Sequence, residues 1–245
     1  MHNQIEQWPI ESELGLIQTM NGMGIMTTEL SPVADQFVHD AKVLTGTYLD
    51  IGAAYGVASH KVLENGVKLI ACDISNDHLD ILYESAPSEY KHNLTIDNSS
   101  FPYETDYQNS SMNGILISLV LHFLDGETIK NGLNKCYEWL KSGGKVYITV
   151  MTPNLSFYKK CWPIYKKRIS EGVKWPGIFV TQEFISDIYL KHLPAKVHLF
   201  DQDVLTSLIT EAGFKLIYNS YFCYKNFPEK HRNNGKEFLG IIGVK

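Results

Sequence analysis

The sequence predicts an α/β fold built on a doubly wound, mostly parallel sheet. Two observations carry this. From Thr47 to Met151 short apolar runs alternate with amphipathic stretches, the pattern of βαβ units with helices on both faces of a sheet. The first of those runs also leads into YLDIGAAYGVAS (48–59), where an acid is followed by a loop of small residues and then by a helix start. In an open parallel sheet, ligands bind at such turns, beyond the carboxyl ends of the strands. The 245 residues fit one domain of this kind with an elaboration, or at most two small domains.

Taken in order, residues 1–45 read as a helical N-terminal cap. It is loose at Gly22 and Gly24 and clearest from Pro32 to Lys42, with Ser31 as cap and Pro32 in the first turn. TYLDI (47–51) is a strand. VASHKVLEN (57–65) is a helix that Gly66 stops. VKLIAC (67–72) is a buried strand ending at Asp73, and DHLDILYESA (77–86) is a helix stopped by Pro87. NLTI (93–96) and GILISL (114–119) are the next strands. Ile129, Leu133, Cys136 and Leu140 recur at three and four residues, which predicts an amphipathic helix ended by Gly143 and Gly144. KVYITVM (145–151) is the fifth strand. Residues 152–199 break the rhythm: they are aromatic and basic and carry Pro153, Pro163, Pro176 and Pro194. A helix over 201–214 and two β-rich stretches, 215–224 and 236–244, resume it. The expected organisation is thus a cap (1–45), a Rossmann-like domain (46–151 and 200–245) and an inserted lid (152–199).

Composition narrows the class. Hydrophobic residues make up 44% and charged residues 20%, as in a soluble protein with a core. A net charge of -5 speaks against a general nucleic-acid binder, which needs a basic footprint. Cys72, Cys136, Cys161 and Cys223 form no CxxC pair and have no His at zinc-ligand spacing, so they read as reduced thiols and no metal site is expected. MHNQIEQWPIESE lacks the basic start and apolar stretch of a signal peptide, and ILISLVLHFL (115–124) is too short to span a bilayer. The expectation is a cytoplasmic protein without a membrane span; the oligomeric state is left open.

The loop admits two cofactor classes. Gly52 and Gly56 lack side chains, Ala53 and Ala54 are small, and Asp73 at the next strand end can accept from a ribose diol. A dinucleotide site wants GxGxxG, but from Gly52 the chain runs Gly-Ala-Ala-Tyr-Gly-Val, and the second and third glycines are missing. The pattern acid-x-Gly-x-Gly-x-Gly fits Asp50, Gly52, Ala54 and Gly56, with only the middle glycine relaxed.

With these pieces in order, the chain resembles the class I S-adenosylmethionine-dependent methyltransferases from about Thr47 to its C-terminus, apart from 152–199. YLDIGAAYG resembles the cofactor loop, LIACDIS the strand with the ribose-binding acid, and LTIDNSSFP the adenine-bracketing segment. GILISLVLHFL resembles the fourth strand and its loop, WLKSGGKVYITV the helix, glycine pair and fifth strand, and DVLTSLITEAGFKLI the last helix and sixth strand. The resemblance implies a seven-stranded sheet with the last strand antiparallel, S-adenosylmethionine as cofactor and S-adenosylhomocysteine as product. It also implies residue roles. Asp50 would hold the methionine amino group; Gly52, Ala53, Ala54, Tyr55 and Gly56 would line the methionine and ribose. Asp73 and Ile74 would meet the ribose and its surroundings, Asp97 or Asn98 the adenine edge, and Ser118 and Leu119 would lie beneath the cofactor.

Two residues are candidates for chemistry. His122, just beyond the fourth strand, would act as a base or position the acceptor. Tyr55 would set its ring near the sulfonium, because aromatic faces attract cations, or would pack on the N-terminal segment. His60 reads as an exposed helix residue. SLVLHF lacks both the Asn/Asp-Pro-Pro-aromatic signature of amino methyltransferases of DNA and glutamine and the Pro-Cys of cytosine C5 enzymes. That favours a small-molecule acceptor methylated at oxygen, with nitrogen or carbon as alternatives. FYKKCWPIYKKR (157–168) sets Lys159, Lys160, Lys166, Lys167 and Arg168 among aromatics, which suits an amphipathic lid helix, an RNA or membrane surface, or recognition of an acidic substrate. The competing functions are an RNA or protein methyltransferase using that segment, a binding protein that has lost turnover, and an NAD-dependent oxidoreductase, which the missing glycines disfavour.

Overall fold

In the computed structural model, residues 16–184 and 194–245 are described. Seven strands form the central sheet in the order β10-β11-β7-β6-β3-β4-β5. They are β3 (Thr47–Ile51), β4 (Lys68–Cys72), β5 (Leu94–Asp97), β6 (Met112–Ser118), β7 (Leu140–Met151), β10 (Lys215–Phe222) and β11 (Phe238–Val244). β11 runs antiparallel to both β7 and β10, and the pairs from β7 to β5 are parallel. The class, the seven strands and the antiparallel last strand follow the sequence expectation.

Alternation along the strands sorts two cores. Tyr48, Leu69, Leu116 and Tyr147 face α1 (Pro32–Val43) and α2 (Val57–Leu63), meeting Val33, Phe37, Val62 and Leu63. Their neighbours Leu49, Ile115, Ile117 and Ile148 face α4 (Gly126–Trp139) and α6 (Gln202–Glu211), meeting Leu133, Trp139, Leu205 and Ile209. α3 (Asn76–Ser85) packs Leu79 and Leu82 on Ala53 and Ala71. As the sequence predicts, Ser31 caps α1: its hydroxyl accepts from the Ala34 amide at 3.1 Å.

The N-terminal cap departs from the helical expectation. Residues 1–15 lie outside the described residues, and β1 (Leu16–Gln18) pairs antiparallel with β2 (Ile25–Thr27). Gly22 at φ +67 and Gly24 at φ +153 form the turn, a use of glycine that the helical reading took as looseness. The expected stop of α4 at Gly143 also moves. The helix ends at Trp139, because Leu140 is already extended and pairs with Met112. Gly143 then bulges within β7 at φ +79, its amide donating to the Lys245 carbonyl.

Within 152–199, residues 185–193 lie outside the described set. The rest contains α5 (Cys161–Ser170) and a hairpin of β8 (Ile178–Val180) and β9 (Lys196–His198). Tyr158, Cys161, Tyr165, Phe179, Val197 and Leu199 join Tyr224, Phe227 and Phe238 in a core of their own at the β10–β11 edge. No described helix is long and apolar enough to cross a membrane.

Candidate functional site

Strand order reverses between β3 and β6, so the crevice beyond their carboxyl ends is the switch point where an open sheet takes ligands. The loop Gly52–Gly56 lies there. Three of its residues are left-handed: Gly52 at φ +72, Ala54 at φ +46 and Gly56 at φ +84. A Cβ on Gly52 would lie 2.3 Å from Val120 Cγ2, and one on Gly56 would lie 2.7 Å from Leu82 Cγ. Both glycines are therefore required by close packing as well as by conformation.

Four of the five loop amides are already committed. Gly52 and Ala53 donate to the Cys72 carbonyl at 2.8 and 3.1 Å, Gly56 donates to the Ala53 carbonyl at 2.9 Å, and Ala54 donates to Asp73 Oδ2 at 2.9 Å. A pyrophosphate-binding turn needs such N–H groups free. This one offers carboxylates instead. Asp50 and Asp73 are both buried and close enough to repel each other. Burial, with Asp73 adding repulsion and Ser59 opposing it, pushes the Asp50 carboxyl up to about 6. Ser59 Oγ, at 2.7 Å, holds Asp50 Oδ2 in place. A lining of this kind suits a ligand that brings a cation.

Asp73 has internal partners of its own. Beyond the Ala54 amide, it accepts from the Ser75 amide at 2.9 Å and bonds His78 Nδ1 at 3.2 Å, so it also fixes the loop. Beside it Ile74 is exposed, an apolar surface fit for a flat ring. Asn98 Nδ2 donates to the Asp73 carbonyl at 3.0 Å. The Asp97 carboxylate accepts from Ser99 Oγ at 2.5 Å and from the Tyr107 hydroxyl. Asp97 ends β5 and Asn98 follows it beside Asp73, and part of the hydrogen-bonding capacity of each is internally engaged. Ser118 ends β6 and Leu119 follows at φ +58, so the chain turns sharply at the crevice floor.

Neither chemistry candidate sits as a free catalytic group. Tyr55 is fully buried; its hydroxyl donates to the Gln18 carbonyl at 3.2 Å and accepts from the Met20 amide at 3.1 Å. Its ring lies edge-on to His78 at 5.0 Å. Tyr55 therefore ties the cofactor loop to the N-terminal hairpin, the packing alternative of the sequence reading. His122 is buried, and burial followed by the proximity of His198 pushes it down to about 3, making it a weak proton acceptor near neutral pH. His60, expected to be exposed, is partly buried and bonds the Leu82 carbonyl through Nε2 at 2.9 Å. Ser59, His78, Val120 and His198 escaped the sequence reading. Only Ser59 had a local signal, since α2 carries it back over the end of β3.

Residues 49–146 match the model of a family described as a methyltransferase domain. Over that stretch, 98 of the 245 residues, the chain is similar to methyltransferase domains. Solved structures agree in fold. A methyltransferase of Methanosarcina mazei, described as S-adenosylmethionine-dependent, superposes at a TM-score of 0.63 with 19% identity, covering 89% of this chain and 98% of that one. The Burkholderia thailandensis 1,6-didemethyltoxoflavin-N1-methyltransferase, solved with its substrate and S-adenosylhomocysteine, gives 0.58 with 15% identity over 87% of this chain and 77% of that one. The glycopeptide N-methyltransferase MtfA, complexed with sinefungin, gives 0.57 with 16% identity over 87% and 85%. No curated protein sequence matches significantly. The matched stretch runs along the sheet from β3 into β7 and includes the loop and both carboxylates.

Proposed function

We propose that this methyltransferase acts on a small molecule, holding S-adenosylmethionine over the Gly52–Gly56 loop. The acid-lined loop with spent amides is the observation that carries the cofactor assignment. Asp50 would hold the amino group of the cofactor, Asp73 the ribose hydroxyls, Ile74 one face of the adenine, and Asp97 or Asn98 its edge. Gly52, Ala53, Ala54 and Gly56 would line the methionine and ribose, above Ser118 and Leu119. Once bound, the cofactor supplies a methyl group on a cationic sulfur, which an acceptor lone pair takes in line as the carbon–sulfur bond breaks. The chain's own work is orientation and exclusion of water, which can lower a barrier by about 7–11 kcal/mol at best.

Support for a small acceptor comes from what encloses the crevice. The N-terminal hairpin is tied to the Gly52–Gly56 loop through Tyr55, and the described part of 152–199 packs on Leu119 and Met151 at the ends of β6 and β7. The basic residues of α5 are largely engaged within the lid. Arg168 donates to the Pro176 and Ile178 carbonyls at 3.1 and 2.6 Å, Lys166 sits 5.0 Å from the Trp162 ring, and Lys167 lies 3.6 Å from Glu171. Oxygen is the favoured acceptor atom, with nitrogen or carbon open. Incubating the protein with methyl-labelled cofactor and a fractionated cell extract tests this. The proposal expects label in the low-molecular-weight fraction. Label confined to RNA or protein would overturn it in favour of the macromolecular reading.

A further inference from the structure

His122 lies where three elements meet. Val120, two residues before it, packs on Gly52 of the cofactor loop. Phe123, the next residue, approaches Gly24 in the turn of the N-terminal hairpin. The Leu124 carbonyl bonds His198 Nδ1 at 3.2 Å, so the β9 end of the lid hairpin closes on the same short turn. Cofactor loop, cap and lid therefore converge around two imidazoles.

Each imidazole has an unmet ring nitrogen. A carbonyl can only accept, so His198 Nδ1 carries the proton toward Leu124, and Nε2 is left as a bare lone pair; His122, with no bond to fix its tautomer, takes the Nε2–H form that a neutral imidazole favours, which leaves Nδ1 as its lone pair. His198 Nε2 and His122 Nδ1 are both buried without a hydrogen-bond partner among the described residues. Both rings are neutral at physiological pH: burial pushes His122 down to about 3 and His198 to about 4, the latter although the Leu124 carbonyl and Asp125 pull the other way. The rings are set in aromatic surroundings. His122 contacts Phe123 at 3.9 Å, and His198 stacks on Phe200 at 4.3 Å with Trp175 edge-on at 5.9 Å. A buried acceptor without a donor is costly, and the cost is recovered when a donor arrives.

We infer that His122 and His198 form an acceptor-recognition pair, whose free nitrogens accept hydrogen bonds from hydroxyl or N–H groups of an uncharged methyl acceptor with an apolar body. This rests on the small-molecule methyltransferase reading and gives it a substrate class. The two histidines are positioning residues: they orient the acceptor and take no proton.

Phenol and anisole are suitable probes, because they share an apolar ring and differ in one donor. The test records ring-nitrogen NMR signals of both histidines in protein saturated with S-adenosylhomocysteine. Saturable shifts at both rings with phenol, and much weaker ones with anisole, are expected. His198→Asn keeps an N–H toward Leu124 but removes the Nε2 lone pair, and His122→Gln removes the Nδ1 lone pair. Each should weaken phenol binding about fivefold, the value of one hydrogen bond, while His122→Asn, which keeps a polar atom at the Nδ1 position, should retain it. Equal responses to phenol and anisole, or none, would overturn the pair, as would unchanged phenol binding in both variants. A bridging water held fixed between the rings would give that null response. Absence of S-adenosylhomocysteine binding is a separate result: it removes the methyltransferase reading and this inference with it.

Discussion

Asp50 carries a cost in the free protein that a cationic ligand would offset. Its carboxyl, pushed up to about 6 by burial, is ionised at neutral pH without a cationic partner in the described structure. Asp50→Asn keeps an acceptor for Ser59 and removes that charge. It should stabilise the free protein by about 1–3 kcal/mol, since each unit of pKa shift is worth about 1.4 kcal/mol, and denaturant unfolding measures the gain. A cationic amino group needs the ionised form, so cofactor affinity in the wild type should fall about tenfold per pH unit below 6, as followed by calorimetry. Tyr55→Phe removes the hydrogen bonds to Gln18 and Met20 and should cost about 1 kcal/mol of stability. The placement of Asp50, Gly52, Gly56 and Asp73 at two strand ends and the loop between β3 and α2 was legible in the sequence, because it depends on spacing within one βαβ unit. His78 and His198 were not, because each acquires its role from a partner brought near by the fold.

At the scale of elements, the sheet was readable nearly throughout. Strand runs such as TYLDI and KLIAC are mostly apolar and bury residues on both faces, and the cap Ser31 marks its helix start locally. The misread elements are those in which glycine serves a turn or bulge. Gly22 and Gly24 look like helix breakers until β1 and β2 pair, and Gly143 looks like a helix stop until its amide finds Lys245. The loop between β3 and α2 is the element under tightest constraint. Gly52→Ala would drive a methyl into Val120 at a left-handed backbone position, and we expect a loss of about 2 kcal/mol or more together with cofactor binding. A thermal melt with and without S-adenosylhomocysteine measures both effects at once.

For the whole molecule, two buried neutral histidines make stability depend on pH. Unfolded, His122 and His198 take up protons below about 6.5. Folded, they resist until about 3 and 4. The unfolded state therefore binds more protons between about 6.5 and 4, and stability is fully present above that window and lost as pH falls through it. Asp50 acts in the opposite sense between 6 and its unfolded value, but one carboxyl offsets only part of two imidazoles. Urea titrations across this window should show the midpoint falling on acidification, with a shallower slope in the His122→Asn/His198→Asn double variant. The central claim remains that the acid-lined loop grips a cationic sulfur nucleoside and not a dinucleotide. Titration calorimetry of S-adenosylhomocysteine and of NAD into wild type and Asp50→Asn tests it most directly. One site for S-adenosylhomocysteine, weakened about tenfold or more in Asp50→Asn, with no heat from NAD, is the predicted result. Binding of NAD, or no binding of S-adenosylhomocysteine, would contradict it.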